Sequence, residues 1–275
     1  MYATDFTYDG ISLSSLGYML CQFDNGNDRA IGSEISFKTV PTQKGNKQLL
    51  VDYQYENCLS TTLYICKNTC QVGPQDSLVI DPFTMSTLMR WLNKKEFRPF
   101  LMDIYATGQS PRIETIYLNA SFNVSAVYIG DEIYGLELQM ITDKPFAQLS
   151  ERTITLTFTE ANQSQQFEDT SDEIGYIYPN SVTVTCNANG DLKLENLLER
   201  RETIVIGCQA DEVIQFIYPE ILKVSREPLD HDVRNCFNYI FPRVANTSTS
   251  KINTIKSSIK ATVVIKYNPI IKIVL

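Results

Sequence analysis

The chain has 275 residues, enough for two modest domains, and a formal net charge of −8 from 24 basic and 32 acidic side chains. Nucleic-acid binding depends on clustered Lys and Arg that neutralise phosphates, so this charge argues against a DNA-binding or RNA-binding protein. The 15 Tyr and 13 Phe, together with frequent Thr, Ile and Val, favour β-strands. The composition therefore predicts a folded, mainly β protein.

The first half of the chain is predicted to be a series of strands interrupted by one helix. Aromatic and aliphatic residues alternate around Asp9 and Gly10, a pair typical of tight turns, so residues 5–13 are predicted to form a β-hairpin. Short apolar stretches bounded by turn residues predict further strands at residues 18–23, 34–40, 48–55, 59–66, 100–105, 112–118, 122–128 and 133–141.

The helix is predicted over residues 82–93. Asp81 can cap its first turn, and Pro82 suits the first helical position. Four apolar residues then recur at spacings of three and four, which places them on one helix face: Met85, Leu88, Met89 and Leu92. An amphipathic helix of this kind is expected to cover a sheet that would otherwise be open.

The second half begins after Pro145, which restricts the backbone of Lys144 as well as its own and places a domain boundary near residue 147. Regularly spaced short strands separated by turn residues predict a β-sandwich here. The strands are predicted at residues 153–158, 182–186, 192–195, 203–206, 213–218 and 262–267. Residues 232–240 are predicted to form a brief helix.

The sequence predicts no enzyme, because it contains no recognisable catalytic, cofactor-binding or metal-binding motif. The single histidine, His231, lies between Asp230 and Asp232 and is predicted to be a solvated loop residue. Residues 168–173 are predicted to be a solvated acidic loop, since they lack the glycine and distal glutamate of an EF-hand. A pair of carboxylates brought together from distant strands, as in glycosidases, stays open.

The seven cysteines show no paired CxxC spacing of the kind that zinc ribbons use, so they are predicted to be buried free thiols. Free thiols and the absence of a recognisable signal peptide predict synthesis in a cytoplasm. The apolar C-terminal stretch, residues 261–275, is too short to span a bilayer and is predicted to form one or two strands.

Several short motifs follow one another along nearly the whole chain. The first half contains an aromatic hairpin at residues 6–12, a Leu-Gly-hydrophobic strand at residues 16–20 and an Arg-Trp-Leu helix at residues 90–92. It closes with a strand that has a Lys-Pro-aromatic ending, at residues 136–147. Two further motifs, residues 190–196 and 235–242, lie in the second half. In this order they resemble the distal tail proteins (Dit) of long-tailed, siphovirus-type bacteriophages.

This resemblance implies an N-terminal split β-barrel with one amphipathic helix, over residues 1–147, that forms a ring. It also implies a C-terminal galectin-like β-sandwich over residues 148–275. The ring would be a homo-hexamer that connects the tail tube protein to a tail-associated tip protein or baseplate. It would anchor adhesion components such as a receptor-binding protein.

The resemblance further implies that DNA passes through the lumen without specific binding. The acidic residues are expected to face this channel, where like charges repel the DNA. The protein is expected at the virion tail tip, after synthesis in the bacterial host cytoplasm and without membrane insertion. Residues 169–178 are a candidate arm for a receptor-binding protein.

Two alternatives to a phage tail ring remain. One is another β-sandwich adaptor, in the baseplate of a contractile tail-like particle. The other is a glycan-binding protein. A lectin or hydrolase would respond to glycans and need not assemble, whereas a ring protein should form hexamers, alone or with its tail partners.

Overall fold

The computed structural model describes residues 5–21, 35–42, 47–56, 58–71, 78–106, 112–223 and 231–272. The chain divides into two compact units, Met1–Leu149 with Lys272–Leu275, and Ser150–Ile271. Residues 22, 23 and 34 of two predicted strands lie outside the described residues, as do Asp230 and the last three residues of the chain.

The first unit contains a half-barrel sheet, a helix and a separate two-stranded hairpin. Its elements are β1 Thr7–Tyr8, β2 Ile11–Ser12, a 3₁₀ turn Ser14–Leu16, β3 Tyr18–Cys21, β4 Ile35–Pro41, β5 Gln48–Tyr55, β6 Ser60–Lys67, α1 Pro82–Leu92, β7 Arg98–Ala106, β8 Arg112–Ile129, β9 Glu132–Thr142 and β10 Ala147–Gln148. The main sheet has the antiparallel order β2-β1-β7-β8-β9-β6-β3, with β10 beside β8.

The opening hairpin turns at Asp9 and Gly10, as predicted, and both residues have positive φ, 49° and 78°. Helix α1 packs on this hairpin. Its Trp91 donates a hydrogen bond from Nε1 to the carbonyl oxygen of Tyr8 at 3.0 Å. Phe6 also stacks on the Trp91 ring, with centroids 6.0 Å apart. The predicted helix is thus confirmed, and it packs onto the sheet through its last turn.

Strand β8 corrects one prediction. Residues 112–118 and 122–128 were predicted to be separate strands, but the structure joins them in a single strand of 18 residues. The Asn-Ala-Ser sequence between them does not turn, because Ala120 is fully buried and pairs with Arg98 on β7 and with Thr142 on β9. A small buried residue with a partner on each side continues the strand.

The second unit is a β-sandwich. Its strands are β11 Arg152–Phe158, β12 Ser164–Glu168, β13 Gly175–Ile177, β14 Ser181–Cys186, β15 Gly190–Asn196, β16 Arg201–Cys208, β17 Val213–Ile217, β18 Glu220–Lys223, β19 Val244–Asn246, β20 Ile252–Ser257, β21 Ala261–Tyr267 and β22 Ile270–Ile271. One sheet has the order β11-β21-β14-β17-β18 and the other β12-β20-β15-β16, while β13 and β19 form a small third sheet.

Apolar side chains from the two larger sheets form a single core. Phe158, Val184 and Val263 come from the five-stranded sheet, and Leu192 and Val205 come from the four-stranded sheet; all five are at most 1% exposed. The predicted mainly β fold with one amphipathic helix is therefore confirmed in the described part of the chain. In that part, no helix combines the length and apolarity that crossing a membrane requires.

The prediction of a helix over residues 232–240 is wrong. The chain forms one turn there, in which the Cys236 amide donates to the Asp232 carbonyl and the Asp232 carboxylate accepts from the amides of Arg234 and Asn235. Phe237 then forms a β-bridge with Val205 and is buried. Tertiary pairing with β16 ends the helical turn after its first hydrogen bonds.

Candidate assembly surfaces

The hairpin β4–β5 forms its own two-stranded sheet and exposes an unusual amount of apolar surface. Large apolar side chains along it are 38–65% exposed: Ile35, Phe37, Val40, Leu49, Leu50, Val51 and Tyr53. Monomeric proteins rarely expose contiguous apolar patches of more than a few hundred Å², and such patches commonly mark interaction sites. The hairpin is therefore the strongest candidate interface in the first unit.

The two faces of this hairpin differ in chemistry near its base. Ile35 pairs with Tyr55 and Phe37 pairs with Tyr53, so these side chains share one face. The next pair, Lys38 with Asp52, lies on the opposite face and forms an exposed ion pair of 3.8 Å. Strands with one apolar and one polar face normally bury the apolar face.

Tyr55 anchors the base of the hairpin to the rest of the first unit. Its ring contacts the Phe146 ring edge-on, with centroids 4.8 Å apart. The Lys272 ammonium group lies 5.7 Å from the Phe146 centroid. Beyond this anchor, the apolar face at Phe37 and Tyr53 stays open to solvent, at 62% and 45% exposure.

A second group of exposed apolar residues in the first unit lies on strand β8. Tyr128 and Ile129 are 60% and 59% exposed at the turn into β9, and Ile113 is 63% exposed near the other end of the strand. Phe83, in the first turn of α1, is 86% exposed. These side chains offer further contact points for a neighbouring protein.

The second unit presents tyrosines and an arginine at the small sheet of β13 and β19. The Arg243 guanidinium lies 3.7 Å from the centroid of the Tyr176 ring and forms a 2.6 Å ion pair with Glu199. Tyr178 stacks on Tyr218, with centroids 4.0 Å apart. Tyr and Arg are enriched at protein interfaces, so this surface is a candidate contact for a protein partner.

The acidic segment 168–173 is not the solvated loop that the sequence predicted. Asp169 is 1% exposed and accepts hydrogen bonds from Ser171 and from the hydroxyl of Tyr267 at 3.1 Å. Asn246 donates to the carbonyl oxygens of Ser171 and Glu173, which ties the segment to β19. Burial beside Asp169 raises the pKa of Tyr267 to about 12. The segment is thus part of the sandwich, and its exposed residues are Glu168, Thr170 and Asp172.

His231 is likewise not the solvated residue that the sequence predicted, since its side chain is 7% exposed. Its Nδ1 lies 2.8 and 3.0 Å from the two carboxylate oxygens of Glu212, a side chain with no exposure. Its Nε2 lies 2.8 Å from the carbonyl oxygen of Ile206. The flanking aspartates suggested a surface loop, whereas the partner that buries the ring lies 19 residues earlier in the chain.

The seven cysteines all lie within the described residues and are free. Cys186 and Cys208 are buried as predicted, but the prediction is wrong for Cys58 and Cys70, which are exposed. A hydrogen bond between the thiols of Cys186 and Cys208 lowers the pKa of Cys208 and raises that of Cys186. Burial and the neighbouring Cys66 thiol raise the pKa of Cys21.

Two family models match the sequence. One, described as phage tail protein N-terminal domain, matches residues 1–144, and the other, described as phage tail C-terminal domain, matches residues 146–267. The half-barrel sheet and the sandwich are therefore the two domains of a phage tail protein. The chain belongs to this family of phage tail proteins.

Among solved structures, the crystal structure of the Dit protein of phage SPP1, described as a paradigm of the hub adsorption apparatus in phages that infect Gram-positive bacteria, is similar to this chain. The TM-score is 0.61 at 12% sequence identity, over 98% of this chain and 99% of that chain. At this identity the likeness establishes a shared fold. The predicted resemblance to distal tail proteins is confirmed. A search of curated proteins finds no match.

Proposed function

We propose that this phage tail protein assembles as a hexameric ring, the hub that connects the tail tube to the tail tip or baseplate. The first domain, residues 1–147, forms the ring, and the second, residues 148–275, is a galectin-like sandwich that holds adhesion components. The role is structural rather than catalytic. Family membership and the fold shared with a hub protein support this proposal.

The observation that carries the proposal is the exposed apolar hairpin β4–β5. Its face at Ile35, Phe37 and Tyr53 has the chemistry of a buried surface, yet these side chains are 38%, 62% and 45% exposed. A patch on one copy that meets a different patch on the next copy closes into a ring when the rotation allows it. The exposed Ile113, or the turn at Tyr128, can supply the receiving patch on the neighbouring copy.

The remaining partners follow from the position of such a ring. The tail tube protein lies on one side and a tail-associated tip protein on the other, at the virion tail tip. The Arg243 and Tyr176 surface of the sandwich is the proposed contact for a receptor-binding protein. The net charge of −8 suits a lumen that DNA crosses without binding, since like charges repel.

Native mass spectrometry and negative-stain microscopy of the purified chain test the proposal. We expect a complex of six 31.3 kDa chains and six-fold rings with a central hole. A chain that stays monomeric at its highest attainable concentration, both alone and with its tail tube partner, would contradict the proposed ring. Binding of glycans by the monomer would favour the lectin alternative instead.

A further inference from the structure

Three side chains with metal-binding chemistry meet at one end of the sandwich. Cys208 ends strand β16, Glu212 precedes strand β17, and His231 is drawn to them from a later part of the chain. One ligand atom of each residue lies within 4.8 Å of those of the other two. Cys208 is 2% exposed and Glu212 has no exposure, so the cluster is shielded from water.

The contacts of His231 require a proton or a metal ion between its ring and Glu212. The carbonyl oxygen of Ile206 can only accept, so Nε2 carries the hydrogen of that 2.8 Å bond. The lone pair of Nδ1 then faces the Glu212 carboxylate at 2.8 and 3.0 Å, and both groups are acceptors. Either a proton or a metal ion must lie between them.

Nearby ligands favour a metal ion over a proton. The contact of Nε2 with a backbone carbonyl is the usual second contact of a metal-binding histidine, since it fixes the tautomer and aims the other nitrogen at the metal. The sulfur of Cys208 lies within 4.8 Å of the ligand atoms of Glu212 and His231 and supplies a soft ligand. A metal ion would take up the Cys208 sulfur as a thiolate, in place of its 3.5 Å hydrogen bond to the carbonyl oxygen of Val205.

The dimensions and the charge suit zinc. Zinc lies about 2.3 Å from sulfur and about 2.0 Å from nitrogen and oxygen, so tetrahedral ligand atoms are about 3.3–3.6 Å apart. The Nδ1 atom of His231 and Oε1 of Glu212, now 2.8 Å apart, need to separate by about half an ångström to bind one zinc ion. The other separations, all within 4.8 Å, need to shorten by at most about one ångström. Zn²⁺ with one thiolate and one carboxylate is neutral, which suits a buried site.

We propose that Cys208, Glu212 and His231 bind a structural zinc ion at this end of the sandwich. The Oε2 atom of Glu212 accepts a hydrogen bond from the Gln209 amide at 3.0 Å, which leaves Oε1 to bind the ion. The ion ties the turn between β16 and β17 to residues 231–237. The site is independent of ring formation, so either proposal can fail alone.

Metal content and cobalt spectroscopy test the site in the full chain. Protein produced in medium with zinc and then freed of loosely bound metal should retain about one zinc ion per chain. Cobalt added to chelator-treated protein should give a thiolate-to-cobalt charge-transfer band. Chelation should lower the midpoint of thermal unfolding, because a ligand that binds only the folded state stabilises it.

The variant Cys208→Ser should lower zinc affinity at least about 100-fold, because loss of a direct ligand exceeds the loss of an outer contact. Cys236→Ser is the matched control, since Cys236 is a half-buried thiol of the same unit outside the cluster. If the wild-type chain retains no zinc and gives no cobalt band, a proton holds His231 and Glu212 together and the site does not exist. Equal zinc retention by Cys208→Ser and Cys236→Ser would also overturn it.

Discussion

Strand β14 of the sandwich and strand β5 of the hairpin both consist of apolar and polar residues in an antiparallel ladder, yet their surroundings differ. Val182, Val184 and Cys186 alternate with half-buried residues on β14 and face the core. On β5 every residue is exposed except the last, Tyr55, which is half-buried. A strand pattern predicts that one face will be covered, but it does not reveal what covers it.

In the sandwich the same chain supplies the second layer, through Leu192 and Leu194 of the opposing sheet. In the hairpin, Tyr55 packs against Phe146, whereas Phe37 and Tyr53 stay 62% and 45% exposed. The difference separates residues that stabilise the monomer from residues that are available for assembly. The experiments below compare the two regions through matched substitutions.

The largest expected effect comes from the sandwich core. Phe158 has no exposure, so Phe158→Ala should lower the free energy of unfolding by about 3–5 kcal/mol. Urea unfolding followed by far-UV circular dichroism measures this loss, since the single tryptophan reports on the other unit. A loss below about 1 kcal/mol would mean that the two sheets do not share this core.

A smaller loss is expected at the buried acidic segment. Tyr267→Phe removes the hydroxyl that donates to Asp169 and leaves a buried carboxylate short of one donor. A hydrogen bond to a charged group contributes about 1.5–3 kcal/mol, so the free energy of unfolding should fall by that amount. Tyr176→Phe is the control, because Tyr176 is 55% exposed and keeps its ring beneath Arg243. Equal losses in both variants would show that the segment is solvated after all.

Replacement of phenylalanine by alanine on the hairpin, unlike in the core, should barely change the stability of the monomer. Phe37 is 62% exposed, so Phe37→Ala should change the free energy of unfolding by less than about 0.5 kcal/mol. The measurement is urea unfolding of dilute, dissociated chains, with Phe158→Ala measured under the same conditions. A loss as large as that of Phe158→Ala would mean that the chain itself already covers the hairpin.

The smallest effect is a pH dependence at the first turn of α1. Hydrogen bonds from the Thr84 side chain and from backbone amides hold the pKa of Asp81 below its ordinary value. A lowered pKa in the folded state adds stability above the ordinary value, about 3.9, and this stability is lost as the pH falls through the lowered pKa.

Asp81→Asn is the control for this titration, because asparagine caps a helix as well but stays neutral. Trp91 lies in the last turn of α1, so its fluorescence follows unfolding of the first unit. Wild type should lose stability relative to Asp81→Asn between about pH 6 and about pH 3. A constant difference between the two proteins would show that Asp81 does not cap the helix.

Much of this fold could be predicted from local signals. Asp9 and Gly10 fixed the opening turn, and Asp81 with Pro82 fixed the start of α1, because these residues act on their own neighbours. Strand β20 could not be found in the same way. It turns Asn253 and Ser257 into the core and leaves Ile252 49% exposed.

Distant partners explain that inverted pattern. The Asn253 side chain accepts from the amide of Ala245 and from Asn196, and donates to the Ala245 carbonyl. The buried His231 and Glu212 pair is hidden from the sequence for the same reason, because its partners are 19 residues apart. Buried polar groups are stable only when they are hydrogen-bonded, and sequence alone does not show the bonds.

The central claim is that the apolar face of the hairpin β4–β5 joins the subunits of the ring. The assembly state of two charge-matched hairpin variants tests it most directly. Phe37→Glu and Gln54→Glu each add one negative charge to the hairpin, the first on the apolar face and the second on the polar face. Native mass spectrometry should find hexamers for wild type and Gln54→Glu, and folded monomers for Phe37→Glu. Hexamers of Phe37→Glu with wild-type stability would contradict the claim that this apolar face joins the subunits of the ring.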